Sequence, residues 1–495
     1  MSRWNELSRR AVLAGLLALP GAAYAEAPPN SFPPRRRGDG GRVSARPGDA
    51  GALIEAAKLG GSLGYAVADA ATGEVLESVG AALGQPPAST AKVITSLYGL
   101  TMLGAKHRFV TRVLATGPVS GGKIEGDLVL AGTGDPELQT DMLGDLVARL
   151  GALGVREVTG RFLVCDGALP YIPEIDAEQP EFVGYNPSIS GMNLNFNRVH
   201  FEWKLEGAEY SVAMDARGER FIPPVSMARM AVADRTGPLF TYAGGSGQES
   251  WTVARKALGE GGSRWLPVRH PGHYAGEVFR TLARAQGIIL PLAVVQKVVP
   301  DGRELVRFDS GGLDGVLKDM LRFSTNLTAE VVGLTASGAT SLAGSGRAMS
   351  DWLSARHGVQ ADFADHSGLS GRSRISAAGM VRALVAARND LGSGAVLPLL
   401  LKNFGMRDSK GNPIKGHKVL VPAKTGTLNF VSALVGYVVP PTGRDLAFSI
   451  FAADLPQRAR LAEAEREDPP GGEAWGRRAR RLQGALIDRW VGLYV

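Results

Sequence analysis

Ser89 and Lys92 stand three positions apart in Pro87-Ala88-Ser89-Thr90-Ala91-Lys92. On a helix, residues i and i+3 share a face, so the amine can reach the hydroxyl. Serine becomes a nucleophile when a base takes its proton, and lysine is a base only when neutral. That state requires burial or a neighbouring cation. The segment follows two prolines and reads as the start of a helix, where unpaired N–H groups and the dipole favour an oxyanion. Ser324-Thr325-Asn326 offers a hydroxyl able to relay a proton and an amide able to hold a peptide backbone. Taken alone, that triplet also suits the loop ending a helix. Lys424-Thr425-Gly426-Thr427 precedes an apolar strand. There Lys424 and Thr425 suit a carboxylate, Gly426 admits close backbone approach, and a strand edge can pair with an extended peptide. Ser120-Gly121-Gly122-Lys123 repeats the serine–lysine spacing inside a turn, where the side chains need not converge.

Chemistry at three distant points needs elements that bring them together. A hairpin is expected from Leu63–Asp69 and Glu74–Ser78 around a turn at Ala71-Thr72-Gly73, and then a helix opening at Ala88-Ser89. From His107 to Leu266 the pattern changes to short strands and glycine-rich turns, interrupted by a helix over Asp141–Leu153. Gly191–Leu205 alternates polar and apolar residues like a strand pair. Helical spacing returns over Tyr274–Gln286, and again at Leu313, Val316, Leu317, Met320 and Leu321, ending at Ser324. A second hairpin joins Ala433–Val438 to Leu446–Phe451. The charged stretch Gln457–Glu473 reads as a mobile surface excursion. Leu482, Leu486, Trp490 and Leu493 mark a final helix over Trp475–Tyr494, expected to pack on the sheet.

The 495 residues exceed one ordinary core, and the 65 glycines favour short strands and tight turns. A net charge of +7 without a basic stripe of interleaved aromatics speaks against nucleic acid as a partner. The seven histidines form no H-E-x-x-H pair, so no metal or other cofactor is expected. No G-x-S-x-G elbow surrounds Ser89, which argues against an α/β-hydrolase. The one cysteine, Cys165, lies in an apolar run and reads as a small core residue. Arg9-Arg10, an apolar stretch over Ala11–Ala23 and Ala23-Tyr24-Ala25 read as an export signal over residues 1–25, of Sec or twin-arginine type. Residues 26–48, with Pro33-Pro34-Arg35-Arg36-Arg37, lack the periodicity of a core and read as a disordered linker. Nothing beyond the signal is long and apolar enough to span a membrane.

Together the ordered triplets S-x-x-K, S-x-N and K-T-G resemble the signature of enzymes that acylate on penicillin and on D-Ala-D-Ala peptides. More specifically, the sequence resembles the class C low-molecular-mass penicillin-binding proteins, the D-alanyl-D-alanine carboxypeptidase/endopeptidase family. Gly132-Thr133-Gly134-Asp135-Pro136, Asp365-His366-Ser367-Gly368-Leu369-Ser370 and Lys424–Leu428 followed by Gly436-Tyr437 carry the likeness, as does the gap of 235 positions (324 − 89) between the first two motifs. The resemblance covers about residues 50–455. It implies an α/β (α+β) serine-transferase fold of penicillin-binding-protein/β-lactamase type: an antiparallel sheet flanked by helices, with a large β-rich insertion. On that reading residues 49–106 and 267–495 form the catalytic domain, and 107–266 the inserted module, in one or two subdomains. It further implies a periplasmic enzyme acting on peptidoglycan stem peptides and inhibited covalently by β-lactams. Ser89 would carry the acyl group, Lys92 act as general base and Ser324 assist proton transfer. Asn326 would orient the substrate, Lys424 and Thr425 grip the carboxylate beside Gly426, and the N–H groups of Ser89 and Thr427 form the oxyanion hole. A serine β-lactamase and a non-catalytic wall-binding relative are the alternatives. Two positions depart from the family pattern. Thr325 stands where many relatives carry Asp, and Gly371 where a basic residue often follows the S-G-L-S stretch.

Overall fold

The computed structural model describes residues 49–390, 396–406, 414, 418–462 and 465–495. The expected signal and linker lie outside them. The first expected hairpin forms as Ser62–Asp69 and Val75–Val79, paired antiparallel. Its turn closes because the Asp69 carboxylate accepts the N–H groups of Ala71 and Thr72, while Gly73 takes φ +77°. The second pairs Val431–Val438 with Leu446–Ala453. Between them they build one antiparallel sheet, in the order Val75–Val79, Ser62–Asp69, Leu446–Ala453, Val431–Val438, Pro422–Leu428, Lys402–Asn403. The first and last quarters of the chain thus meet in one layer, and the Lys424 motif lies on a strand beside its edge.

Helices cover both faces. On one, Val93, Ile94 and Leu97 of the helix Ala91–Leu103 pack with Leu317 and Met320 of Leu313–Phe323, Val331 of Asn326–Ser337, and the sheet residues Val435, Tyr437 and Phe451. On the other, Leu482, Leu486 and Trp490 of Gly472–Tyr494 pack on Tyr65, Val67, Phe448 and Ile450. The C-terminal helix is the expected core element. Its end is fixed by Glu77, whose carboxylate accepts from Tyr65, Trp490, Tyr494 and Arg489.

The middle of the chain forms a five-stranded mixed sheet, ordered Ala293–Gln296, Phe162–Cys165, Leu128–Gly132, Val110–Ala115, Arg303–Asp309. Helices Thr140–Ala152 and Pro271–Ala285 share its core. Among the described residues, three three-stranded sheets accompany it: Arg198–Glu206 between Glu209–Asp215 and Gly261–Pro267, Gln248–Ala254 between Ala228–Ala233 and Phe240–Gly245, and the short Lys123–Ile124 between Val119–Ser120 and Glu157–Val158. Cys165 is buried in the five-stranded sheet. The strands at 293–309 pair with strands of 110–165, so the sheet begun near residue 107 is completed at Asp309, well past Leu266.

Two elements differ from expectation for identifiable reasons. In Gly191–Leu205 only Arg198–Glu206 is a strand; Asn195, Phe196 and Asn197 adopt φ between +51° and +59°. The alternating asparagines explain this. Asn193 accepts from Ser190 N, Asn195 from Thr140 N, and Asn197 donates to Ser188 O, so side chains take backbone partners that a ladder would have used. The charged stretch 457–473 is anchored: Arg458 donates to Asn429 O, Arg466 to Glu178 O, and Glu467 pairs with Arg264 at 2.6 Å.

Candidate active site

The turn that carries Ser89 is bent before its helix begins. Ala88–Thr90 form one 3-10 turn, and Ala88 adopts φ +47°, unusual for a residue with a side chain. Thr90 Oγ1 fastens the turn by donating to Pro87 O at 2.7 Å. Two glycines make room for it. A Cβ on Gly368 would lie 1.8 Å from Ala88 O, and one on Gly426 would lie 2.7 Å from Pro87 O and 3.0 Å from Ser89 N. The main chain of the Lys424 strand therefore runs directly against the Ser89 turn, as close approach requires.

Lys92, one turn along, is fully buried. Its Nζ lies 3.1 Å from Ser89 Oγ, 2.8 Å from Asn326 Oδ1 and 2.8 Å from Ser367 O. Three partners match the three substituent directions of an amine, so the group is held in one orientation. Ser324 ends its helix in the left-handed region at φ +60°, with its Oγ 3.0 Å from Lys424 Nζ. Lys424 also donates to Thr425 O at 2.7 Å. Thr425 and Thr427, two apart on the strand, are both exposed on one face, while Lys424 and Gly426 are buried. The six motif side chains Ser89, Lys92, Ser324, Asn326, Lys424 and Thr425 are thus carried on two helix starts, one helix end and one strand. The second Ser-x-x-Lys match is a hairpin turn, with Lys123 paired to Glu157.

Burial lowers Lys92 to about 8, while the carboxylates of Glu330 and Asp365 push the other way. Lys424 falls well below the ordinary lysine range, first through burial and then through the charge of Lys92. Of the two routes to a neutral lysine, burial is the one that acts on Lys92, and the repulsion between the two lysines bears on Lys424. Burial and then Asp365 raise Glu330 to about 8, and burial raises Asp365.

Four supporting residues escaped the motif reading. Glu330 accepts His366 N and Ser367 N, fixing the carbonyl that holds Lys92. Asp365 accepts Gly368 N, Ser370 N and Ser373 Oγ. Ser367 contributes through its main chain, and Tyr185 O accepts Asn326 Nδ2 at 2.9 Å. Asn326 is consequently engaged on both sides, by Lys92 and by the loop carrying Tyr185. The D-x-S-G-L-S stretch contained the signal for Asp365 and Ser367; Glu330 lies four positions after Asn326, one helical turn on. Nothing in the sequence singled out a main-chain carbonyl.

Elsewhere, among the described residues, His200, Glu202 and Asp215 bring ligand atoms within 4.8 Å of one another. Arg217 already bridges the two carboxylates, at 2.8 Å from Glu202 and 2.9 Å from Asp215, so a cation in effect occupies that cluster.

An antiparallel sheet between helix layers, with a serine–lysine pair at the start of the central helix, defines the penicillin-binding-protein/β-lactamase-like serine enzymes. A family model, D-Ala-D-Ala carboxypeptidase 3 (S13) family, matches residues 50–468, and the chain belongs to that family. It is 30% identical over 498 aligned residues to a D-alanyl-D-alanine carboxypeptidase of an Actinomadura species, covering 91% of each chain. It is 27% identical to a carboxypeptidase of Mycobacterium tuberculosis, covering 81% of this chain and 78% of the other. Among solved structures, penicillin-binding protein 4 from Haemophilus influenzae superposes with a TM-score of 0.68 at 20% identity, over 86% of this chain and 99% of that one.

Proposed function

We propose that Ser89 attacks the D-alanyl-D-alanine bond of peptidoglycan stem peptides, releasing the terminal D-amino acid and leaving an acyl-enzyme that water then hydrolyses. The observation that carries this reading is the 3.1 Å approach of buried Lys92 Nζ to Ser89 Oγ. As the neutral amine, Lys92 takes the serine proton. Ser324, hydrogen-bonded to Lys424, passes a proton to the departing amine. Lys424 and Thr425 hold the terminal carboxylate, and the N–H groups of Ser89 and Thr427 stabilise the oxyanion, each donor contributing about 3 kcal/mol. Cleavage of a cross-link uses the same steps, with a longer amine as leaving group. β-Lactams enter as covalent inhibitors, in keeping with the similar Haemophilus influenzae protein, whose structure is also known complexed with a β-lactam. The catalytic part is read as residues 49–106 with 310–495, and the inserted module as 107–309. Residues 1–25 serve as the export signal and place the enzyme in the periplasm.

Intact-mass analysis after mixing with benzylpenicillin, with digestion to locate the adduct, tests the assignment. A long-lived adduct on the peptide bearing Ser89, together with D-Ala release from a stem pentapeptide, is the expected result. Drug consumption without a lasting adduct indicates a β-lactamase, and the absence of both adduct and consumption sinks the catalytic reading.

A further inference from the structure

We propose that Glu330 is a positioning residue for acylation: through the main chain of Ser367 it aims Lys92 at Ser89, and its negative charge holds the lysine proton back. The role rests on the acyl-enzyme reading above and deepens it.

Asn326, Glu330 and Gly333 stand at i, i+4 and i+7 of the helix Asn326–Ser337, and so share one face. All three meet the surroundings of Lys92. Asn326 Oδ1 accepts directly from Lys92 Nζ at 2.8 Å. A Cβ on Gly333 would lie 2.1 Å from the His366 ring, so the helix is pressed against the turn at 365–370. Between them the Glu330 carboxylate takes two consecutive main-chain donors, His366 N at 3.0 Å and Ser367 N at 2.8 Å. The carbonyl of Ser367 accepts in turn from Lys92, at 2.8 Å. One helix face therefore holds the amine twice, once by a side chain and once through a peptide unit.

Asp365 does a different job. It accepts Gly368 N at 3.0 Å and Ser370 N at 2.7 Å, and so shapes the turn from within. Glu330 arrives from another element and fixes where that turn sits against the helix carrying Asn326. Charge marks it out as more than a fastener. Glu330 has no exposed surface, and among the described residues no cation pairs with its carboxylate at contact distance. Burying a charge in that way is costly. Its field falls instead on Lys92, where it is the larger of two influences that raise the amine, ahead of Asp365. The other titratable neighbours do not offset it. Lys424 is itself pushed down, by burial and then by Lys92, and burial lowers the His366 ring to about 3.

The test is the pH profile of acylation by benzylpenicillin, read by stopped flow from pH 6 to pH 10 in the native enzyme, Glu330→Gln and Glu330→Asp. In Glu330→Gln the charge goes and the length stays. Its rising limb is expected at lower pH than the native midpoint near 8, because an amine without that anion loses its proton more readily. Its plateau should fall roughly tenfold, as one of the two N–H groups loses its oxygen and the amine its alignment. In Glu330→Asp the charge stays and the reach shortens, so the plateau should fall while the midpoint holds. A Gln variant with the native midpoint overturns the role whatever its plateau, since a fastener alone would leave the pH dependence untouched. Should that variant not fold, an Asp variant acylating at the native plateau decides against the role just as firmly. A native enzyme that forms no adduct on Ser89 sinks the acyl-enzyme reading and this role with it. Native acylation with both variants unaltered sinks the role alone.

Discussion

The two halves of this molecule bury charge for different ends. Around Ser89, the residues Lys92, Lys424, Glu330 and Asp365 are all at most 3% exposed, and burial shifts every one of them toward its neutral form; the repulsion of Lys92 adds to the shift at Lys424, and that of Asp365 to the shift at Glu330. In the region around the five-stranded sheet, here read as the inserted module, the buried ions act as fasteners. Glu249 accepts the N–H groups of Arg269 and His270, and the Arg269 guanidinium donates to the carbonyls of Pro173, Asn186 and Glu181. That clasp shapes the loop whose Tyr185 O meets Asn326. On the proposed reading, burial of a lysine beside a serine makes reactivity, whereas burial of an arginine among carbonyls makes a fixed loop. Tyr185 O is the point at which that loop meets Asn326.

The sharpest way to break the comparison is to remove the reactive pair. Ser89→Ala is expected to abolish acylation by benzylpenicillin. Lys92→Ala should slow it by about 10²–10⁴-fold, the usual range for a general base. The sign of the pH dependence follows from the lowered amine. Lys92 is active when deprotonated, so the native acylation rate rises with pH through about 8 and levels off above it. Stopped-flow acylation between pH 6 and pH 10 reads both effects. A native profile flat through that range, or one reproduced by Lys92→Ala, excludes Lys92 as the base.

The next test crosses from one half to the other. Arg269→Met removes the donors to three buried carbonyls and leaves Glu249 without its neighbouring charge. A loss of about 3 kcal/mol in unfolding free energy is expected. If the clasp positions Asn326, acylation at 25 °C should also fall, by roughly tenfold, because small displacements of aligned groups are costly. Denaturant melts and acylation rates on the same preparation separate the two. Reduced stability with an unchanged acylation rate would confine the module to a structural part.

What the sequence made legible follows the same division. The serine–lysine pair, the end of a helix at Ser324 and the strand at Lys424 could be read because each needs a side chain of one type at one spacing. Both hairpins of the central sheet were readable from apolar runs around turns. The asparagine-rich segment before Arg198 was not, because its alternation imitates a strand while its side chains compete for the backbone. The extent of the five-stranded sheet was also hidden. Ala293–Gln296 and Arg303–Asp309 are ordinary short strands, and only their partners, well over a hundred positions back, show which sheet they complete. Glu330 and Tyr185 O escaped for a related reason: their importance lies in what they hold, and one of them acts without its side chain.

The smallest expected effect is the one that distance alone would misjudge. Arg161 and Asp127, in the module, approach to 2.7 Å, closer than Lys92 approaches Ser89. Arg161→Ala is nevertheless expected to leave the melting temperature and the acylation rate unchanged. The Arg161 side chain is 64% exposed, so water already solvates the guanidinium and screens its attraction. The variant also keeps the main-chain bond from Arg161 N to Asp127 at 2.7 Å, which fixes the turn without the side chain. A clear fall in melting temperature at physiological salt would mean that ion pairs on the module surface carry stability. The contrast between a reactive centre and a fastened scaffold would then have to be drawn by position in the fold, since burial would no longer separate the charges that matter from those that do not.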